Sequence, residues 1–228
     1  MARSGLGRFS LGPQLHAADV ESLVVERSYQ AVARAIDDLL NLDATADKVA
    51  KYFEPSNNYA GETFTTLSNN DPHRFSVEDL LAVALLETPF SGSATRTLLD
   101  NPATLVDLLH GIPDGPPIWS VNKSTLGPVS AADTLWHELD ALEGVGPTRA
   151  GKLMARKRPA LIPIVDTVVE GYLPAPPSEY WLAIRSALLD QERRERIDRL
   201  GPRNPAITTL RRLDVAIWMY RRQAPRHL

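Results

Sequence analysis

The run Leu142-Glu143-Gly144-Val145-Gly146-Pro147-Thr148-Arg149-Ala150 holds the residues of this chain whose types and spacing best suit chemistry. Its glycines permit a tight turn and close approach of another backbone, and Pro147 fits a first helical turn, where its missing N–H is no loss. Such a hairpin points free amide N–H groups outward from a helix start. An anion is the natural ligand there, and a phosphodiester is the commonest anion that a basic protein segment meets. On the helix that follows, Arg149, Lys152 and Arg156 share a narrow arc beside the apolar arc of Ala150, Leu153 and Met154, and extend the expected anion site. The plain alternative is a glycine helix stop followed by an unrelated capped helix. The stretch from Gly146 to Lys152 also matches the start of a phosphate-binding loop, G-x-x-x-x-G-K. Leu153 stands where Ser or Thr would hold magnesium, however, and a helix precedes the glycines, so an NTPase is excluded on both counts.

The hairpin resembles that of the helix-hairpin-helix DNA glycosylase superfamily. There L-x-G-V-G-x-x-x-A is followed, eighteen to twenty residues beyond a lysine or equivalent position, by a V-D dipeptide bearing the catalytic aspartate. The matching positions here are Thr148 and, eighteen residues later, Asp166 in Pro163-Ile164-Val165-Asp166-Thr167. Asp79 to Leu86 is similar to the buried early helix of that fold and Leu213 to Arg222 to its late one, so the resemblance covers about residues 75–222. It implies an all-α, multi-helix, DNA-glycosylase-like fold with double-stranded DNA as partner. Gly144, Val145, Gly146, Thr148, Arg149, Lys152 and Arg156 are the implied DNA-binding residues, and Asp166 the catalytic group of a monofunctional DNA N-glycosylase. The resemblance further implies a monovalent cation on the backbone carbonyls of Asp140, Leu142 and Val145. Three departures accompany it. Thr148 stands where bifunctional members carry a lysine nucleophile, so Schiff-base strand cleavage is not expected. The four cluster cysteines of some branches are absent, so no iron–sulfur cluster is expected, and Val168 replaces a histidine common after the D-T pair.

Breaking an N-glycosidic bond develops positive charge on the sugar, which an ionised carboxylate near C1′ stabilises while it orients the attacking water. One aspartate suffices if binding flips the nucleotide into a pocket. Local sequence alone makes Asp166 the N-cap of a short helix over 167–173. The alternative is therefore a non-catalytic helix-hairpin-helix DNA-binding module in which Asp166 is only a cap. A third class is a protein-interaction fold whose hairpin no longer meets nucleic acid. Other candidate groups are weaker: His16, His73, His110, His137 and His227 show no metal-ligand spacing, and no G-x-S-x-G occurs. Tyr59, Phe64, Trp119, Trp136, Trp181 and Trp218 can line a base pocket, although core packing explains each more simply.

Charge is distributed unevenly around these residues. Residues 1–143 carry 9 basic and 20 acidic groups, whereas residues 144–228 carry 16 basic and 8 acidic, a net +8 that suits a polyanion. Without a cysteine the chain has no disulfide, thiol catalysis or cysteine-ligated metal. The longest strongly apolar run, residues 80–86, is too short to span a bilayer, and the chain reads as cytoplasmic with no membrane partner.

Helices must position the hairpin. Val25, Tyr29, Val32, Ile36 and Leu39 alternate at spacings of four and three, which predicts a helix over 19–41. A second is expected over 45–53, then a turn-rich stretch from Ser56 to Pro72 in which Tyr59, Phe64 and Leu67 pack down. Ser76 and Asp79 form a capping box before a helix apolar on every side, expected at the centre of the core. Asn101-Pro102 opens another helix, and Ser130 with Asp133 a further one bearing Leu135, Trp136, Leu139 and Leu142. A helix from Ser178 to Asp190 continues into Gln191 to Leu200, with pairs Glu192/Arg196 and Glu195/Arg199. The last helix covers about 205–222, and only Leu161 to Val165 is expected to be extended. The outcome is an all-α chain with an N-terminal helical extension, residues 1–74, packed on a region of residues 75–228.

Overall fold

The computed structural model describes residues 17–67 and 70–223; His16, His227 and Asn69 lie outside them. Among the described residues the chain is all-α, with eleven α-helices and no strand. No helix among them is long and apolar enough to cross a membrane.

The long helix α1 (Ala17–Leu40) buries Tyr29, Val32, Ile36 and Leu39 on one face, as their spacing predicts. It packs on α9 (Tyr180–Ala187), while α2 (Ala44–Tyr52) packs on α11 (Thr209–Gln223). First and last helices therefore share one apolar cluster with the middle of the chain, and the core runs continuously across the 74/75 boundary.

The expected capping box is present at α3 (Val77–Ala84): Ser76 and Asp79 exchange side-chain and backbone bonds. Its place differs from expectation. Leu80, Ala82 and Val83 are buried, but Val77 and Leu81 are exposed, so α3 flanks the core rather than filling its centre. The central position belongs instead to α7 (Gly146–Lys157), where every residue from Ala150 to Lys157 is buried. Between α3 and α7 lie α4 (Gly92–Leu99), α5 (Ala103–Gly111) and α6 (Ala131–Ala141). Ser91 caps α4, a helix too short and polar to show a periodicity in the sequence. Asn101 does not cap α5. It adopts φ 48°, and its amide clasps the backbone of Phe75, accepting from N–H and donating to C=O.

The helix expected over 178–200 is two, α9 and α10 (Gln191–Asp198), because Asp190 caps a fresh start by accepting from the Arg193 amide. Of its two expected ion pairs, Glu195–Arg199 forms at 3.5 Å, while Arg196 turns to Asp37 of α1 and to Asn41 just beyond its end. Of the run expected to be extended, Leu161 and Ile162 instead turn back to bond the Arg158 carbonyl, and the non-helical segment before α8 (Thr167–Glu170) runs from Pro163 to Asp166.

Candidate functional site

The non-helical run Pro163 to Asp166 organises the site. Successive side chains of an extended backbone point to opposite sides. Ile164 and Asp166 accordingly line one cavity, Val165 and Thr167 another, and this single strand of chain is the septum between them. Gly151 lets α7 lie against the septum, since a Cβ there would stand 3.2 Å from the Val165 carbonyl oxygen. This close approach is what Gly151 contributes, rather than any phosphate loop.

Asp166 caps α8, its Oδ1 accepting from the amides of Val168 and Val169 at 3.0 and 3.2 Å. Its Oδ2 faces the Lys152 ammonium at 3.6 Å. Lys152 is buried, donates to the Leu86 carbonyl at 3.1 Å, and has its pKa lowered by that burial against the opposing pull of Asp166 and Asp214. Asp214, on α11, faces the same space. Burial pushes its carboxyl up to about 6, although its ion-pair partner Arg211 works in the opposite direction. Arg211 also donates to the Tyr52 hydroxyl and the Gly61 carbonyl, which fixes the floor.

The cavity around these groups holds about 410 Å³, within the usual range of a small-molecule site. One wall is aromatic: Tyr59 stacks on Tyr52 at 5.1 Å, and Trp218 meets both rings edge-on. Arg222 lies over the Trp218 ring at 4.8 Å. Three acids (Glu87, Asp166 and Asp214), three cations and an aromatic platform thus converge on one space.

The hairpin itself joins α6 and α7, two helices that pack on each other. Gly144 and Gly146 both have left-handed φ, +80° and +69°. A Cβ on Gly144 would collide with Ser91, whereas one on Gly146 would meet open space. No side chain caps the start of α7, so its first amides lack a side-chain acceptor.

Several expected site residues stand elsewhere. Arg156 is 1% exposed and cannot reach an external phosphate: it bonds Asp79 and the carbonyls of Phe64 and Leu67. Lys152 is likewise inside, facing Asp166 instead of solvent. Arg149 donates to the carbonyls of Pro89 and Val145, bracing the hairpin. The expected monovalent cation site at Asp140, Leu142 and Val145 is altered by the same contact. A guanidinium already occupies the Val145 carbonyl, and the Leu142 carbonyl accepts the Val145 amide. Thr148 lines the second cavity and Asp166 the first, so the two do not share a pocket.

Among the described residues, six of the basic groups behind the net +8 are buried: Lys152, Arg156, Lys157, Arg158, Arg211 and Arg212. Most of their polar atoms bond to loop carbonyls and to Asp79 or Asp214. Of the aromatic candidates, Tyr59 and Trp218 reach the first cavity, Trp136 and Trp181 the second, and Phe64 is core. Tyr52, Arg211 and Asp214 were not singled out by sequence. The available signal was three charges within the apolar stretch of α11, since charged residues seldom sit on a buried face unless paired. Among the described residues no group of three or more His, Cys, Asp or Glu is placed to hold a metal ion.

No curated protein and no solved structure matches the chain. A family described as a family of unknown function, DUF6308, matches residues 45–221, a span that includes the second cavity's lining, the first cavity's lining except Arg222, the hairpin and α11 up to Arg221. That span is well over half of the sequence, and the chain belongs to the DUF6308 family.

Proposed function

We propose that the protein binds a nucleotide unit of DNA with its base in the Asp166 cavity and hydrolyses the N-glycosidic bond. The observation that carries this reading is the convergence of Asp166 and Asp214 on one aromatic-walled cavity of about 410 Å³. An inserted base stacks on the wall of Tyr59 and Trp218. As the bond from C1′ to the base nitrogen breaks, the Asp166 carboxylate stabilises the cationic sugar, and a water oxygen bonds to C1′ while its proton passes to Asp166. Asp214, whose carboxyl burial raises to about 6, supplies the proton to the departing base. Lys152 neutralises Asp166 in the resting site and holds it in place.

Thr148 has no amine and lies across the septum, and the amine that does line the cavity, Lys152, is held by Asp166 and the Leu86 carbonyl, so the reaction ends at an intact abasic strand. The test is incubation with duplexes and single strands carrying a panel of damaged bases, then alkali and electrophoresis. Alkali-labile sites without borohydride-trapped adducts are expected. Absence of both base release and binding across the panel would overturn the proposal. A second reading, the non-catalytic module, is favoured by one contact: Asp166 is a fully engaged cap for Val168 and Val169. Binding without release on any lesion would select it.

A further inference from the structure

The second cavity, on the other side of the septum, holds about 460 Å³ and has the opposite electrostatic character. Trp136 and Trp181 line it together with Pro128 and Thr148, and its carboxylates are Asp133 and Glu170. No lysine or arginine lines it; its one basic group is His137, an exposed side chain 3.8 Å from Asp133. Glu170 is exposed and makes no ion pair among the described residues. The rim is unusual as well. Val129, next to Pro128, is 92% exposed at φ 58°, a left-handed conformation that a β-branched residue rarely adopts. Its amide donates to Asp133 at 2.9 Å, which helps hold the rim in that shape. Strained backbone held by a neighbouring contact recurs at ligand clamps.

We propose that this cavity is a binding site for a small organic cation, an ammonium group carried on an apolar body. Indole faces attract cations through their quadrupole, and the unpaired carboxylate of Glu170 adds a full countercharge. The same charges repel phosphate, so nucleic acid is the wrong occupant here, in contrast to the cavity with Lys152, Arg211 and Arg222. The inference does not rest on glycosidic chemistry: Asp166 lies on the other side of the septum, and binding is read without turnover.

The probe is choline, with 3,3-dimethylbutan-1-ol as its neutral isostere, titrated into the full chain and followed by calorimetry and by indole N–H signals in NMR. Choline should bind about tenfold more tightly than the isostere, as one or two cation–π contacts and a carboxylate require. The indole signals of Trp136 and Trp181 should move, and that of Trp218 should not. Glu170→Gln, a surface change that leaves the fold intact, should weaken choline about threefold or more. Trp181→Leu should weaken it about tenfold, and Asp166→Asn should leave it unaltered. Equal affinity for choline and the isostere, no binding of either, or unchanged choline affinity in Glu170→Gln would overturn the assignment, whatever the base-release assay shows.

Discussion

Removing the Arg156 guanidinium would leave the Asp79 carboxylate with Lys157 as its one paired cation and the carbonyls of Phe64 and Leu67 without this donor, inside the protein. Breaking a buried pair from one side costs about 3–5 kcal/mol, so Arg156→Met should lower stability by that order in urea unfolding. A loss below about 1 kcal/mol would mean that the pair behaves as a surface contact. Asp214 gives a second residue-scale expectation. Its carboxyl sits near 6 in the fold and near 3.9 in an unfolded chain, so the native state holds the proton more tightly. Its contribution is complete below about pH 4 and is lost as pH rises through about 6. The wild type should therefore lose stability relative to Asp214→Asn between pH 4 and 7 in thermal unfolding; a constant difference would contradict the buried assignment. At this scale the helix cap at Asp166 was legible, whereas Arg156 and Lys152, expected on an exposed arc, are buried. An arc of cations on a helix reads as a solvated face, and nothing local reveals that Asp79, over seventy positions away, supplies the countercharge to Arg156 while Asp166 faces Lys152.

The hairpin shows how two similar glycines differ once elements pack. Both have left-handed φ, but only Gly144 faces another element, Ser91 at the start of α4. Gly146→Ala should cost about 1 kcal/mol from the left-handed conformation alone, whereas Gly144→Ala adds the collision and should cost distinctly more in the same urea assay. The reverse order would show that the hairpin does not pack on α4. Helix existence was largely legible: α1, α2, α3, α6 and α11 follow from apolar spacing and caps. Centrality was not. The run after Ser76 is the more apolar, yet α7, with its lysines and arginines, occupies the middle, because long cationic side chains carry their own donors to loop carbonyls that would otherwise be unsatisfied. The break between α9 and α10 was missed because no glycine or proline interrupts the run, and only Asp190 marks the new start.

For the whole molecule, the charge asymmetry is real in the sequence, but six of the cations that create it face inward. Counting charges along a chain cannot tell surface from interior. DNA binding should therefore have a shallow salt dependence, carried by exposed groups such as Arg222. Arg222→Ala should reduce the log–log slope by about one, while Arg149→Ala, whose guanidinium is spent on the Pro89 and Val145 carbonyls, should leave it unchanged. The opposite pattern would return Arg149 to the interface and remove Arg222. The central claim is that Asp166 acts on a bond rather than only capping α8. Asparagine preserves its size and much of its capping but not its charge. The decisive measurement is single-turnover base release by Asp166→Asn beside its affinity for the same duplex. The predicted result is a fall in rate of about a thousandfold with affinity held; base release at the wild-type rate would contradict the account.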